Sequence, residues 1–274
     1  DGRAKFVPED YVPRLCTHIL YAFAQFNSSF ILSPTDPADL PNESDPKGLY
    51  QRVVELKNYD YALKVLISVG GWTLSQTKNM VNKREFKGKI NFLKEFTEAF
   101  KVDKKRNCER LIITAAVSAG IETAKQSYDI ANISNYVEFV NLMTYDFHVS
   151  TESVTGYNSP LFTKDNLNID SAADYWAIEG MPKKKIVIGL ATYGHGWTLA
   201  NPNGSRKPVG SNATGPSNAT TYLKSEGIGA YFEFCEMLTD PTTKRAFDLN
   251  AKVPFLIYQK DQWFSYDNIK SFKA

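Results

Sequence analysis

Asp146 stands directly after an apolar run, FVNLMTY, which has the composition of a buried strand. A charge in such a place costs free energy unless it is paired or belongs to a site. The alternative is a structural role, because aspartate also favours strand ends and turns, where it binds a neighbouring backbone N–H. Asp146 is therefore the first candidate for a functional carboxylate.

Four aromatic side chains occur near the ends of four separate apolar segments: Phe23, Trp72, Tyr145 and Tyr193. Each ring taken alone is more often part of a core. Four rings at matching positions favour a binding site, and flat apolar rings suit pyranose sugars, whose C–H faces lie against aromatic planes. We therefore expect these rings to surround a sugar site.

Three further polar side chains could take part in such a site. His148 and His195 could bind a ligand hydroxyl, although isolated histidines are more often ordinary polar residues. Glu233 could reach a cleft from an inserted lobe, whereas an exposed glutamate is the commoner case. Cleavage of a glycosidic bond needs a proton donor and either a second carboxylate or a substrate acetamide as nucleophile. Asp146 alone cannot supply both functions.

Five short segments rich in β-branched and aromatic residues predict strands, and most are apolar throughout, as parallel strands buried on both faces are. They are 17–26, 63–69, 110–117, 136–145 and 185–193. Helical patterns lie at 48–57, 84–101, 169–180 and 222–239, and the clearest of them places Phe86, Ile90, Leu93, Phe96 and Phe100 on one face. Residues 201–218 predict a loop, and residues 252–266 predict a hairpin.

This alternation of strands and helices predicts an α/β fold. Gly, aromatic and charged residues gather at the strand ends, as they do at the carboxyl-terminal face of β/α barrels, which favours a barrel over an open doubly wound sheet. We predict an incomplete β/α (TIM-type) barrel with a small α+β insertion. The barrel portion would be 1–197, the insertion with a glycosylatable loop 198–258, and the return toward the barrel 259–274.

The composition excludes several classes of partner. The 274 residues are 43% hydrophobic, which is sufficient for a core, and 32 basic against 30 acidic residues leave a formal charge of +2. That balance predicts no nucleic acid and no membrane partner. No apolar run approaches the roughly 20 residues that cross a bilayer. Because the sequence has no C-x-x-C, no Cys/His cluster and no Gly-rich nucleotide motif, we expect no metal and no cofactor. We also expect a monomer.

Six N-x-S/T triplets predict an extracellular glycoprotein. They begin at Asn27, Asn42, Asn132, Asn203, Asn212 and Asn218. The first residues, DGRAKF, are charged and do not have the pattern of a signal peptide. The three cysteines, Cys16, Cys108 and Cys235, make an odd count, which in a secreted protein indicates a free thiol, an intermolecular bridge or a missing partner.

Segments along nearly the whole chain resemble, in order, the family 18 glycoside hydrolases, the chitinases and chitinase-like lectins of animals. They are CTHILYAFAQF, LISVGGW, LIITAAVSAG, FVNLMTYDFH, VTGYNSPLF, IGLATYGHGWTL, YFEFC and KVPFLIYQKDQWFSYDN. The resemblance implies a β/α barrel with a small α+β insertion, and cleavage of chitin with retention by the substrate's own acetamide. It implies sugar contacts from Phe23, Gly71, Trp72, Met143, Tyr145, Asp146, Tyr193 and Glu233. It also implies that Tyr145 would hold the reacting acetamide.

The chain departs from the family pattern in three places. His195 stands where many members have Arg, and FHVST replaces FHGSW. The larger departure is the absence of D-x-x-D-x-D-x-E, the strand-four signature whose Glu is the family's acid. Residues 36–43 match this signature only in part. They include Pro41 and lie in a Pro-rich loop, which cannot form a central strand. The sequence reads as if that strand were removed near 87–89. The resemblance also implies that the first and last strands are missing, and that Cys16 and Cys235 pair with cysteines in those segments.

Together these observations predict a protein that binds chitin or chito-oligosaccharides without hydrolysing them. His195 would be among the sugar contacts, and Tyr145 and Asp146 would be remnant acetamide-positioning groups with no catalytic acid beside them. The alternative is a fragment or splice form of an active endochitinase, which hydrolyses polymers of β-1,4-linked N-acetylglucosamine. A third hypothesis is a product without function, because a barrel that lacks strands exposes unpaired edges.

Overall fold

The computed structural model describes residues 4–27, 29, 31–71, 90–102, 111–202 and 209–274. The chain forms two compact units, Asp1–Lys83 and Arg84–Ala274. Among the described residues, no helix is long and apolar enough to span a membrane.

The described residues of the first unit include a three-stranded sheet and an α-helix. Its elements are β1 (His18–Phe26), β2 (Leu32–Pro34), α1 (Gly48–Glu55), which continues as a 3-10 turn over Leu56–Asn58, and β3 (Lys64–Val69). The strand order is β2-β1-β3, with β1 and β3 parallel and β1 and β2 antiparallel. The register between β1 and β3 shifts between Ala22 and Ala24, so Phe23 is an extra residue at a bulge.

The second unit begins with a parallel sheet covered by helices. Its first elements are α2 (Ile90–Val102), β4 (Thr114–Ser118), α3 (Ile121–Ser127), α4 (Ile130–Ile133), β5 (Phe139–Met143), α5 (Ile169–Ile178) and β6 (Ile186–Ile188). The strand order is β4-β5-β6, and both pairings are parallel. Val140 and Leu142 of β5 are fully buried and pack with Trp176 of α5. This core fixes β5, whose last residue precedes Thr144-Tyr145-Asp146.

The rest of the second unit is mainly an antiparallel sheet. Its elements are β7 (Tyr193–Leu199), β8 (Ala213–Pro216), β9 (Ile228–Ala230), α6 (Tyr231–Met237), β10 (Lys244–Asp248), β11 (Val253–Tyr258), β12 (Gln262–Ser265) and α7 (Ile269–Phe272). The order is β10-β11-β12-β7-β8, and β9 also pairs with β7. Trp197 of β7 and Trp263 of β12 lie opposite each other and are buried. The pairing and the two buried tryptophans therefore fix β7 within this sheet.

The predicted mixed α/β class is confirmed. All five predicted strands occur, because runs of buried apolar residues mark strands well. Each strand is shorter than the predicted segment. The predicted hairpin at 252–266 is also confirmed, since β11 and β12 pair from Phe255↔Ser265 to Tyr258↔Gln262. Residues 84–89 and 110 of the predicted elements lie outside the described residues. The proposed domain boundaries at 197 and 258 remain a prediction.

Two segment predictions need correction. The segment 201–218 is not entirely loop, because its residues Ala213–Pro216 form β8 against β7. The predicted helix at 222–239 is shorter, because Gly227 adopts φ +74° and is followed by β9, so that helix α6 begins only at Tyr231. A backbone turn at a left-handed glycine ends one element and starts the next.

Candidate functional site

The backbone after β5 presents Tyr145 and Asp146. The Oγ1 atom of Thr144, which is fully buried, donates to the Gly189 carbonyl at 2.7 Å and so ties the end of β5 to the residue after β6. Asp146 has φ +58°, a conformation that residues other than glycine adopt rarely. A hydrogen bond of 2.9 Å from its N–H to Oδ1 of Asn158 stabilises this turn.

The carboxylate of Asp146 accepts two hydrogen bonds from β7. Its Oδ1 atom accepts from the Tyr193 hydroxyl at 2.6 Å and lies 2.8 Å from Nε2 of His195. Both donors reach the same oxygen, and within the described residues no hydrogen bond reaches Oδ2. The Asp146 side chain is 48% exposed and that of His195 is 12% exposed. Oδ1 is therefore occupied, whereas the described residues supply no hydrogen bond to Oδ2 of this half-exposed side chain.

The pKa of Asp146 is lowered overall. Burial of the carboxyl group acts to raise the pKa, but the hydrogen bonds from His195 and Tyr193, with the charge of His195, outweigh it. Asp146 is therefore an anion at neutral pH and accepts hydrogen bonds. It is poorly suited to donate a proton to a leaving group.

Two tyrosine rings stand beside this carboxylate. The rings of Tyr145 and Tyr193 meet edge to face with centroids 5.9 Å apart. Burial raises the pKa of both phenols, and the Asp146 charge raises each pKa further. Both hydroxyls therefore remain neutral hydrogen-bonding groups. The combination of apolar ring faces with hydroxyl and carboxylate oxygens suits a polyhydroxylated ligand with C–H surfaces.

Asn158 is a site-supporting residue that the sequence analysis missed. It is completely buried; its backbone carbonyl accepts from the N–H of Phe147 at 3.1 Å, and its side-chain Oδ1 accepts from the N–H of Asp146. Its own N–H donates to Oγ of Ser265 at 3.0 Å, and its Nδ2 lies 3.4 Å from the Tyr193 carbonyl. The turn-forming cluster NSP was the available signal. Nothing in the sequence shows that Asn158 connects Asp146 with β7.

The first unit holds two other predicted site residues. Gly71 has φ +91°, and a Cβ atom built on it would lie 3.0 Å from the ring of Phe23, so these two residues are in contact. Phe23 is 43% exposed. Trp72 lies outside the described residues. Met143, in the second unit, is the last residue of β5 and pairs with Ser118 of β4.

Glu233 is buried in the first turn of α6, and its carboxylate is engaged locally. Oε2 accepts from Oγ1 of Thr220 at 2.9 Å and from the N–H of Ala230 at 3.0 Å. Oε1 accepts from the N–H of Tyr222 at 2.7 Å. These bonds hold the loop before the helix, and they do not include Asp146, Tyr193 or His195. Its predicted sugar contact remains a prediction.

His148 contacts Glu152, and the predicted modification sites that the structure describes are exposed. Nδ1 of His148 lies 2.8 Å from Oε2 of Glu152. The sequons that the structure describes are all exposed, namely Asn27, Asn42, Asn132, Asn212 and Asn218, whereas Asn203 lies outside the described residues. Of the described cysteines, Cys16 and Cys235 are exposed free thiols. Cys108 lies outside the described residues.

Comparison with known proteins decides the family. A sequence profile of the glycosyl hydrolases family 18 matches residues 2–88 and 78–274. The chain belongs to glycosyl hydrolase family 18. A probable endochitinase of Caenorhabditis elegans is 40% identical over 314 residues, covering 99% of this chain and 50% of the relative. This chain therefore spans about half the length of that relative.

Two solved family 18 structures are similar over the whole chain. The Trichuris suis protein TsES1, described as an immunomodulatory active chitinase, has a TM-score of 0.91 at 34% identity, covering 100% of this chain and 83% of that one. Human YKL-39, described as a pseudo-chitinase with retained chitooligosaccharide binding, has a TM-score of 0.88 at 30% identity and the same coverage. The similar structures thus include both an active chitinase and a pseudo-chitinase.

The alignment with the nematode relative is longer than this chain. The alignment with the nematode relative runs over 314 positions, whereas this chain has 274 residues, so at least 40 positions face gaps. The two profile matches meet within residues 78–88. This agrees with the absence of D-x-x-D-x-D-x-E from the sequence and with the predicted break near 87–89.

Proposed function

We propose that this family 18 chain binds chito-oligosaccharides or chitin without hydrolysing them. The observation that carries the proposal is the Asp146 carboxylate beside the rings of Tyr145 and Tyr193. Two donors from β7 hold its Oδ1 atom, and no described residue bonds to Oδ2. The similarity to human YKL-39 supports it, since that relative is a pseudo-chitinase with retained chitooligosaccharide binding.

The absence of hydrolysis follows from the chemistry of the remaining acid. A glycosidase needs a proton donor at the leaving oxygen, and general acid catalysis contributes roughly 10²–10⁴-fold to the rate. Asp146 has a lowered pKa and accepts hydrogen bonds, so it does not replace that donor. The D-x-x-D-x-D-x-E segment that carries the family's acid is absent.

The proposal is tested by binding and turnover on the same preparation. We expect chitotetraose to bind in isothermal titration calorimetry and a fluorogenic chitotrioside to show no turnover above buffer. Asp146→Ala should abolish binding, whereas Asp174→Ala, which changes an exposed aspartate on α5, should leave it unchanged. Turnover at enzyme-like rates that disappears in Asp146→Ala would overturn the proposal, as would equal binding by both variants.

A second candidate function is hydrolysis by a longer product of the same gene, of which this chain would be a fragment or splice form. The gap of at least 40 positions against the nematode endochitinase favours it. Sequencing the transcript across Lys87–Asn91 distinguishes the two. A segment with three Asp and one Glu in that place would support an active chitinase.

We also propose a more detailed architecture and a cellular location for the protein. The chain would be an incomplete TIM-type barrel with an α+β insertion, secreted as a monomeric glycoprotein. The solved structures with which it aligns support the barrel, and the exposed sequons support glycosylation. The expected results are secretion from cultured cells, a mass shift on enzymatic deglycosylation and a monomeric elution volume. A single cooperative thermal transition would exclude a product that does not fold.

A further inference from the structure

The sequon 218–220 borders a cavity of about 350 Å³ in the antiparallel part of the second unit, which we call the sequon cavity. All three residues of the sequon line it. The other walls come from α6, from the residues that follow α6 and from the turn between β11 and β12, and include Glu236, Met237, Asp240, Tyr258 and Gln259. Ligand sites in proteins begin at about 300 Å³, so the sequon cavity has room for one sugar residue.

The backbone of the sequon is fixed beside this cavity. The N–H of Asn218 donates to Oε1 of Gln262 at 2.7 Å, and Gln262 is buried. Oγ1 of Thr220 donates to Oε2 of the buried Glu233 at 2.9 Å. A group attached to the side chain of Asn218 therefore starts from a fixed point next to the cavity.

The side-chain amide of Asn218 is available for modification. Asn218 is exposed, and among the described residues no hydrogen bond reaches its Nδ2 or its Oδ1. By contrast, the side chains of Asn27, Asn42 and Asn132 form hydrogen bonds within their own turns. The Asn212 side chain also has no described bond, but Asn212 does not line the sequon cavity. Asn218 therefore combines a free amide with an adjacent cavity.

The walls of the sequon cavity suit a sugar. Glu236 supplies a carboxylate whose one described contact is long, with 3.4 Å between its Oε1 and the hydroxyl oxygen of Tyr222. Asp240 supplies a second carboxylate, and Met237 and Tyr258 add apolar surface. Carboxylates accept hydrogen bonds from sugar hydroxyls, and apolar side chains pack against the C–H groups of a pyranose.

We propose that Asn218 carries an N-linked glycan whose first N-acetylglucosamine lies in the sequon cavity and bridges the β8–β9 loop and the β11–β12 turn. The inference rests on the proposed glycosylation and goes beyond it, because it gives one sugar a structural role. Attachment forms a bond between Nδ2 and the anomeric carbon of the sugar. It breaks the bond from that carbon to the diphosphate of a lipid-linked oligosaccharide donor, and one amide proton is released to solvent.

The first experiment measures glycan release from the native protein, secreted by cells that make only oligomannose glycans. Peptide N-glycosidase cleaves the bond at Nδ2 and converts the asparagine to aspartate, so fragmentation mass spectrometry locates each released glycan. We expect release from Asn218 to be about tenfold slower than release from Asn212, because the buried linkage needs local opening of the structure. After denaturation the two rates should be comparable.

The second experiment measures melting temperatures. Trimming with an endoglycosidase that leaves the first N-acetylglucosamine should not change the melting temperature. Asn218→Gln should lower it by about 2–4 °C, the shift that loss of one net hydrogen bond brings in a domain of similar size, whereas the matched control Asn212→Gln should not. Produced in bacteria without the glycan, Asn218→Gln and the wild-type protein should melt at the same temperature.

The outcomes separate the inference from the proposed glycosylation. Equal release rates at Asn218 and Asn212 in the native protein would overturn the inference and leave glycosylation standing. The same holds if Asn218→Gln lowers the melting temperature equally with and without glycans. An unmodified Asn218 beside a modified Asn212 would also overturn it, and a protein without any N-linked glycan would overturn both. If Asn218→Gln is not secreted, the release rates of the wild-type protein decide.

Discussion

Gly189, which follows β6, provides a direct test of whether Tyr145 belongs to the ligand site. A Cβ atom built on Gly189 would lie 2.7 Å from the Leu142 carbonyl oxygen and 2.8 Å from Cε1 of Tyr145. Normal carbon contacts begin at about 3.5 Å. Gly189→Ala must therefore displace the Tyr145 ring by roughly 0.7 Å or separate β5 from β6. Gly189 does not have a left-handed φ, so Gly189→Ala introduces the steric clash without strain from an unfavourable φ.

The expected effects follow from overpacking and from the lost ring contact. Overpacking costs about 1–3 kcal/mol, so we expect the free energy of unfolding to fall by about 2 kcal/mol. An aromatic contact contributes about 0.5–1.5 kcal/mol beyond its buried area. Loss of such a contact lowers affinity by about two- to tenfold, since about 1.4 kcal/mol is a factor of ten. Calorimetry with chitotetraose and thermal unfolding on the same preparation measure both quantities.

Gly120→Ala is the matched control. Gly120 follows β4, has φ −64°, and a Cβ atom there would lie 3.5 Å from Oγ of Ser118 and 3.6 Å from Oγ1 of Thr123, which are ordinary contacts. We expect its stability to change by no more than about 0.5 kcal/mol, with unchanged affinity. Equal affinity in Gly189→Ala and Gly120→Ala would refute the assignment of Tyr145 to the site.

Two further predictions concern groups behind the site. Asn158→Ala removes the acceptor of the Asp146 N–H, so we expect lower affinity and a stability loss of about 1–3 kcal/mol. The control is Asn168→Ala, which removes the N-cap of α5; it should lower the free energy of unfolding by about 1 kcal/mol and leave affinity unchanged. Equal affinity in the two variants would contradict this role of Asn158. Burial raises the pKa of Asp267, and the hydrogen bonds from Ser159 and Ser271, which lower it, are weaker effects. Asp267 therefore stabilises the fold below its unfolded pKa, and this stabilisation is lost as the pH rises through its folded pKa. Asp267→Asn should remove that loss, and melting temperatures that fall equally with pH in both proteins would argue against it.

The sequence predicts the strands of the parallel sheet and the position of Asp146 well, because both depend on local pattern. A run of buried apolar residues specifies β5, and the charge that follows it is conspicuous. In the antiparallel sheet the β11–β12 hairpin was predicted, whereas β8 was not, since β8 lies in a segment rich in Gly, Pro and Asn and pairs with β7 through the tertiary fold.

The connections within the site could not be predicted from sequence. Asn158 reaches Asp146 across 12 residues, and His195 reaches it across 49, so neither contact leaves a local signal. The hydrogen bonds of Glu233 likewise depend on a turn that the sequence pattern does not indicate. Its carboxylate accepts from the N–H of Tyr222, which the sequence pattern placed inside a helix.

The described contacts of Asp146 do not involve the segment that would carry the family's acid. Within the described part of the chain, the hydrogen bonds to the Asp146 carboxylate come from β7, and the N–H of Asp146 bonds to Asn158, so these contacts lie within 146–195. β7 in turn is held by β12 and β9. None of these contacts involves the D-x-x-D-x-D-x-E segment that the sequence lacks, which agrees with the proposal that this chain binds a sugar without hydrolysing it.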